Sequence, residues 1–323
     1  MDRSGEMSFS SVVKDELSRQ CPTARHCQIA ETAAILSMCG RIIIDEDDRF
    51  SIKIHTESIS VARKYFTLLQ KSFNINSDVS VRCNYYLKKR RTYIVTVSDD
   101  AVARKILYAT RLMTPDGDIS EDFSVSDHVL IQNPCCMRAF LRGSFLAGGS
   151  VSNPLKTYHF EISCSSNEKA HQLLQLMAQF NIEGKVITRK RHYIVYIKEG
   201  AQIVDMLNVM GASNSLMEME NIRILKEMRN SVNRRVNCET ANINKTVSAA
   251  VKQVEDITLI RDSIGFSQLS DGLQEVARLR LEYPEATLVE LGKMLSTPVG
   301  KSGVNHRLRK LSMIADELRC HGR

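Results

Sequence analysis

The chain has 323 residues, 43% of them hydrophobic and 25% charged, and a net charge of +7 from 44 Lys and Arg against 37 Asp and Glu. That is long enough for two ordinary globular domains, and the composition excludes disordered, collagen-like and fibrous classes. No apolar run approaches the roughly 18 residues of a membrane span, and residues 1–6 lack the apolar core of a signal peptide, so a cytoplasmic protein with no membrane partner is expected.

Residues 1–25 predict an N-terminal helical segment containing Ser8–Leu17. Residues 26–215 then carry an internal repeat. The segment Arg91-Thr92-Tyr93-Ile94-Val95-Thr96-Val97 recurs as Arg191-His192-Tyr193-Ile194-Val195-Tyr196-Ile197. Each copy follows a basic turn, Lys88-Lys89-Arg90 in one case and Lys190 in the other, and alternation on both sides of the turns reads as a hairpin. Before each hairpin lies a helical stretch, 58–74 and 166–181. Before these come strand-like Ser51–His55 and Tyr158–Cys164. Each half opens with a helix rich in small residues, Glu31–Cys39 followed by Gly40 and Arg138–Gly148 followed by Gly149. The halves, about 26–112 and 133–215, therefore read helix, hairpin, helix, hairpin, helix. A period this long predicts a duplicated domain with a pseudo-twofold axis. An acidic, turn-rich segment, 113–132, joins the halves.

Residues 216–264 predict a connector of two helices, Ser215–Arg235 and Asn242–Ile264, with an Asn- and Arg-rich break between them. The break reads equally as a capped junction or as a phosphate-binding element using Arg234, Arg235 and Lys245. Residues 265–323 predict three more helices. Asp271 with Gln274, and Thr287 with Glu290, resemble capping boxes, and Pro284 stops the first helix. Ser296–Gly300 is a turn. The last helix, about Ser302–Leu318, has a buried stripe of Val304, Leu308, Leu311, Ala315 and Leu318. Its opposite face carries Ser302, His306, Arg309 and Lys310, with Asn305 and Arg307 on the flanks and Lys301 just before it, and these seven are the candidate DNA contacts. A short helix, a tight turn and a longer basic helix form the arrangement in which the second helix enters the major groove. A solvated docking module is the competing reading, but Asn, His and Arg read base edges, whereas an ordinary solvated face mixes Glu with Lys. Charge placement agrees: Lys293–Lys310 holds five basic residues and no acidic one.

Nine cysteines, at positions 21, 27, 39, 83, 135, 136, 164, 238 and 320, form no Cys-x-x-Cys pair. His26 lies between Cys21 and Cys27, but that spacing matches no standard zinc pattern, so incidental thiols in a reducing compartment, with no metal and no cofactor, are expected.

Leu141-Arg142-Gly143-Ser144-Phe145-Leu146-Ala147-Gly148-Gly149 resembles a degenerate LAGLIDADG helix, and the two halves match the αββαββα order of that homing-endonuclease fold. The fold class implied is α+β: a duplicated LAGLIDADG-like domain followed by an all-α helix-turn-helix domain. In that nuclease family the paired helices end in acidic residues that bind divalent metal; the matching positions here are Cys39 and Gly148, which cannot act as carboxylate ligands. The acidic cluster Asp45-Glu46-Asp47-Asp48 reads as solvated loop. No catalytic residue is expected, and the basic hairpin turns Lys88, Lys89, Arg90 and Arg91, and Lys190 and Arg191, join Arg234, Arg235 and Lys245 as candidate auxiliary DNA contacts.

Ser8–Leu17, Leu141–Pro154, Met228–Lys245 and Lys301–Lys310 together resemble the WhiA family of bacterial sporulation regulators over about residues 7–320, with Met7 the expected native start. The resemblance implies a transcriptional regulator of Gram-positive bacteria, tied to sporulation, cell division or chromosome segregation. Such a protein would associate with the nucleoid, with double-stranded DNA as partner, other transcription or cell-division proteins as further partners, and no small-molecule substrate. The alternative is a protein-interaction scaffold with weak, non-specific DNA binding.

Overall fold

The computed structural model describes residues 7–75, 77–84, 90–114, 116–119 and 128–321. Two compact units divide the chain, Met1–Lys226 and Glu227–Arg323.

The first unit opens with α1 (Phe9–Arg19), where Phe9, Val13 and Leu17 recur at one-turn spacing and are buried. The first half of the duplication follows as α2 (Arg25–Cys39), β1 (Gly40–Ile44), β2 (Phe50–Thr56), α3 (Ile59–Phe73), β3 (Asp78–Asn84), β4 (Arg90–Val97) and α4 (Asp100–Ala109). The second half repeats it as α5 (Pro134–Gly148), β5 (Gly149–Val151), β6 (Phe160–Cys164), α6 (Asn167–Ala178), β7 (Lys185–Arg189), β8 (His192–Ile197) and α7 (Gly200–Met210). Each half has one antiparallel four-stranded sheet, ordered β1-β2-β4-β3 and β5-β6-β8-β7. The two orders are the same topology, as a duplication requires. Of the acidic linker, Met113 bridges Ile119 and His128–Ile131 forms a 3-10 turn; most of the rest lies outside the described residues.

The small residues of α2 and α5 allow these helices to meet at close range. A Cβ on Gly143 would stand 2.7 Å from the Glu31 carbonyl oxygen and 2.8 Å from Ala34 Cβ, so only glycine permits this approach. Beside it lies a buried ion cluster. Arg142 of α5 donates from Nε and Nη2 to the two carboxylate oxygens of Glu31 on α2, at 2.9 and 3.1 Å, and Lys64 of α3 reaches Glu31 at 3.0 Å. Glu31 and Lys64 are 0% and 1% exposed, so each charge depends on its partners. Lys64 also donates to the Gln20 carbonyl, and Arg142 to that of Met210 at 3.2 Å.

The expected break in the connector does not form. Helix α8 runs without interruption from Ser213 to Ser263. The stretch contains neither proline nor glycine, and asparagine inside a helix costs only a fraction of a kcal/mol, about 0.7 at most, so Asn233, Asn237, Asn242 and Asn244 are not enough to stop it. At its start Glu16 of α1 accepts from the Asn214 and Ser215 amides at 2.8 and 3.0 Å, an anion at a helix N-terminus.

In the second unit, α9 (Asp271–Glu282), α10 (Leu288–Met294) and α11 (Lys301–His321) share a core of Leu273, Val276, Ala277, Leu291, Val304, Leu308, Leu311 and Ala315 with Ile257 and Ile260 of α8. Leu318 packs against it, half-buried. Arg319 of α11 donates to the buried Asp256 of α8 at 2.5 Å. The Asp271–Gln274 capping box is absent: Ser270 occupies the cap position, Asp271 is the first helical residue, and Gln274 donates to the Leu269 carbonyl instead. Asp271 still places a negative charge in the first turn, the favourable end of the helix dipole.

Candidate nucleic-acid interface

Helices α10 and α11 are set at a fixed angle by their turn. Thr287 and Glu290 form the expected capping box, with the Thr287 amide donating to Glu290 Oε2 at 2.8 Å and the Glu290 amide to Thr287 Oγ1 at 3.3 Å. The following turn is pressed onto α10. A Cβ on Gly292 would stand 2.2 Å from the Val299 carbonyl oxygen, and the Val299 amide donates to the Gly292 carbonyl at 3.1 Å. Glu275 of α9 accepts from the Ser296 amide at 2.5 Å, which ties the turn to a third helix. Buried Arg280 donates to the carbonyls of Pro284 and Ala286 and closes the corner between α9 and α10.

With Val304, Leu308, Leu311 and Ala315 buried, α11 turns Ser302, His306, Arg309 and Lys310 outward, and Lys301 is exposed at its first residue. No side-chain hydrogen bond or ion pair to a described residue engages any of these five. The other two sequence-selected residues stand apart. Asn305 is half-buried and lines a cavity of about 800 Å³ with Lys245, Val251, Arg280 and Thr287. The Arg307 guanidinium lies over the start of α9, its Cζ 3.4 Å from where a Gly272 Cβ would be. Of the auxiliary set, Arg234, Arg235 and Lys245 are exposed along α8, and Arg191 is exposed at the β7–β8 turn, where Lys190 adopts a left-handed φ of 56°. Arg91 is exposed on β4 and Arg90 begins that strand; Lys88 and Lys89 lie outside the described residues.

The sheet of the first half adds cations that sequence reasoning passed over. Arg41 pairs with Lys53 across β1–β2, on the face opposite the buried Ile52 and Ile54. His55 and Arg82 share that face. Partial burial lowers the His55 pKa, and the charges of Arg41, Arg82 and Lys53 lower it further. Period-2 alternation places Arg41 between core-side positions and would have identified it.

The ends of α2 and α5, where a LAGLIDADG nuclease binds metal, hold no acid. Cys39 is the last residue of α2; its thiol donates to the Ile35 carbonyl, and burial pushes it up to about 12. Lys14 of α1 is close enough to act on Cys39 electrostatically and sits 5.8 Å from the Phe145 ring centre. Lys169 of α6 donates to the Ser37 carbonyl at 2.7 Å. Ammonium groups therefore face the negative end of α2. At Gly148 a Cβ would stand 2.8 Å from the Ser163 carbonyl oxygen, so no side chain enters there unless β6 moves. The β1–β2 acids form a turn of their own, Asp45 Oδ1 accepting from the amides of Asp47 and Arg49. The two helix ends therefore present a thiol and a glycine where a LAGLIDADG nuclease presents carboxylates.

Three family regions match the chain in order: the WhiA N-terminal LAGLIDADG-like domain over residues 25–113, the WhiA LAGLIDADG-like domain over 137–229, and the WhiA C-terminal HTH domain over 232–315. A probable cell division protein WhiA from Lachnoclostridium phytofermentans is 53% identical over 97% of this chain and 100% of its own length. One from Clostridium beijerinckii is 49% identical over 97% and 99%. The crystal structure of full-length DUF199/WhiA from Thermatoga maritima, 27% identical, superimposes with a TM-score of 0.57 over 96% of this chain and 99% of that one. With all three regions present in order and relatives at about half identity matched along their whole length, the chain belongs to the WhiA family.

Proposed function

We propose that this protein is a DNA-binding transcriptional regulator of cell division, with links to sporulation and chromosome segregation. Helix α11 reads the major groove, and the LAGLIDADG-like scaffold serves as an auxiliary contact surface in place of a nuclease. One observation carries the reading: five polar or basic side chains, Lys301, Ser302, His306, Arg309 and Lys310, share one side of a helix that its core fixes in place, and none has a side-chain hydrogen bond or ion pair among the described residues. A helix so placed offers donors to base edges and phosphates without first breaking internal bonds. Ser302, His306, Arg309 and Lys310 are the central contacts. Asn305 and Arg307 bound the surface on either side, and Arg234, Arg235, Lys245, Lys190 and Arg191 supply phosphate contacts. The acting partner is double-stranded DNA in the nucleoid.

The test is binding of the full chain to duplexes selected from genomic fragments and to scrambled controls across a salt series. A reader retains a preference for the selected duplexes after the phosphate contribution is screened; equal affinity at every salt concentration overturns the reading. A protein-interaction role has one supporting observation of its own. Leu225, Met228, Val232, Val236, Ile243, Val247 and Val251 are all more than half exposed along α8, an apolar stripe at helical spacing. Loss of a co-purifying division or transcription protein on Val232→Glu with Val236→Glu, at unchanged DNA affinity, would support it.

A further inference from the structure

The first turns of α2 and α5 place two pairs of soft ligands against one another. Counting from the helix starts at Arg25 and Pro134, His26 and Cys135 are both second residues, and Cys27 and Cys136 both third. The pairs are thus equivalent under the duplication, and the helices that carry them pack across the pseudo-twofold axis. In each pair the first residue is exposed and the second buried. The four ligand atoms lie within 4.8 Å of one another, with His26 Nδ1 3.1 Å from Cys136 Sγ and 3.4 Å from Cys27 Sγ. Tetrahedral zinc, with Zn–S near 2.3 Å, sets its sulfurs about 3.8 Å apart. Closing the cluster onto an ion therefore needs side-chain movement of about an ångström at its widest edge. Ala30, Ala139, Ala24 and Leu130 form an apolar wall behind it.

We propose that His26, Cys27, Cys135 and Cys136 form a tetrahedral site for a zinc-class divalent ion, which clamps the two halves of the scaffold together at the N-terminal ends of their paired helices. Three thiolates and a neutral imidazole suit zinc rather than magnesium or calcium, which take oxygen ligands. His26 binds through Nδ1, leaving its other nitrogen protonated toward solvent, and the exposed His26 and Cys135 give the ion a route in. Each thiol releases its proton to solvent as its sulfur binds the ion, and no oxidation is involved. The site is far in sequence from α11 and does not depend on the DNA-binding reading.

The full chain, grown with zinc and purified under reducing conditions without chelator, is assayed for metal by mass spectrometry. About one zinc per chain is expected, falling to background in Cys135→Ser and in His26→Ala, and unchanged in Cys238→Ser, an exposed thiol outside the cluster. If those variants fold poorly, the wild-type chain still decides. Exchange with Co²⁺ must give the intense visible bands of a tetrahedral thiolate complex and sulfur-to-cobalt charge transfer. A wild-type chain that takes up neither zinc nor cobalt overturns the proposal. So does zinc content unchanged in Cys135→Ser, or a disulfide joining Cys27 to Cys135 or Cys136 in protein purified without oxidant.

Discussion

Replacing Arg309 with alanine separates base reading from phosphate binding. The Arg309 side chain is exposed and has no hydrogen-bond or ion-pair partner among the described residues, while its neighbours Leu308 and Leu311 are buried and hold the helix in place. Removing it leaves no buried group unsatisfied, so folding stability should move by no more than about 0.5 kcal/mol. Any loss of DNA affinity then belongs to the interface. A bidentate arginine contact to a base discriminates by about 1–3 kcal/mol, so affinity for a selected duplex should fall roughly 5- to 150-fold. Affinity for a scrambled duplex should fall far less. Lys301→Ala and Lys310→Ala should instead weaken all duplexes alike, each reducing the slope of log affinity against log salt by about 0.9. Fluorescence anisotropy at four or five salt concentrations, with thermal melts to confirm unchanged folding, measures all three variants. If Arg309→Ala tracked the lysine variants on both duplexes, the division of α11 into a base reader and phosphate clamps would be refuted.

Three further outcomes are expected. With Mg²⁺ or Mn²⁺ the protein should leave duplex DNA intact; site-specific cleavage that vanishes on mutating Asp45 or Asp47 would disprove the assignment of an inactive scaffold. Glu31→Gln should cost about 3–5 kcal/mol in chemical denaturation, because it leaves the buried Lys64 without its counter-ion, and a loss under about 1 kcal/mol would mean that water or rearrangement already compensates that charge. Partial burial, with the charges of Arg41, Arg82 and Lys53, lowers the His55 pKa from its ordinary value. A DNA phosphate against its face would favour the charged form, so its pKa should rise on binding and the affinity of that face should strengthen as pH falls; an imidazole NMR titration unchanged at saturation would exclude this face from the contact.

The parts of this fold that were legible from sequence are those with a repeating physical signal. Alternation in Tyr93–Val97 and Tyr193–Ile197 gave both hairpins, and three-to-four spacing in Val304, Leu308, Leu311 and Ala315 gave the buried stripe of α11. Thr287 with Glu290 gave a true cap because the chain turns there. Asp271 with Gln274 has the same pattern but forms no cap, since Ser270 takes the position one residue earlier. The connector break failed for a related reason. Asparagine favours caps only where the chain leaves the helix, and nothing in Asn233–Lys245 makes it leave. Asn305 and Arg307 share a helix with Arg309 yet face different neighbours, α8 with α10 in one case and α9 in the other. Helical spacing gives direction about one axis but not what packs there. The cluster of His26, Cys27, Cys135 and Cys136 escaped a search for closely spaced ligands because its pairs are vicinal and lie in separate halves. The signal was present in the duplication: position 26 matches 135, and 27 matches 136, at the offset that matches Cys39 with Gly148.

That offset makes the two ends of one helix pair comparable. At the C-terminal ends the positions where a LAGLIDADG nuclease holds its metals carry a neutral thiol and a glycine, with Lys14 and Lys169 supplying positive charge. Ammonium groups there stabilise the negative helix ends that a hydrated magnesium ion would otherwise have shared. At the N-terminal ends the same pair gathers three thiols and an imidazole. The proposed site therefore stands at the opposite end of the helix pair from a nuclease's metals, with sulfur and nitrogen ligands that would surround the ion completely instead of oxygen ligands that activate water. The physical demands of the two sites differ accordingly. A catalytic site keeps a position open for substrate, whereas a closed tetrahedral site has none and acts only through the segments it joins. If both sheets are to lie along a duplex they have to be held in one relative position, and an ion binding one pair of ligands from each half would do that with four side chains.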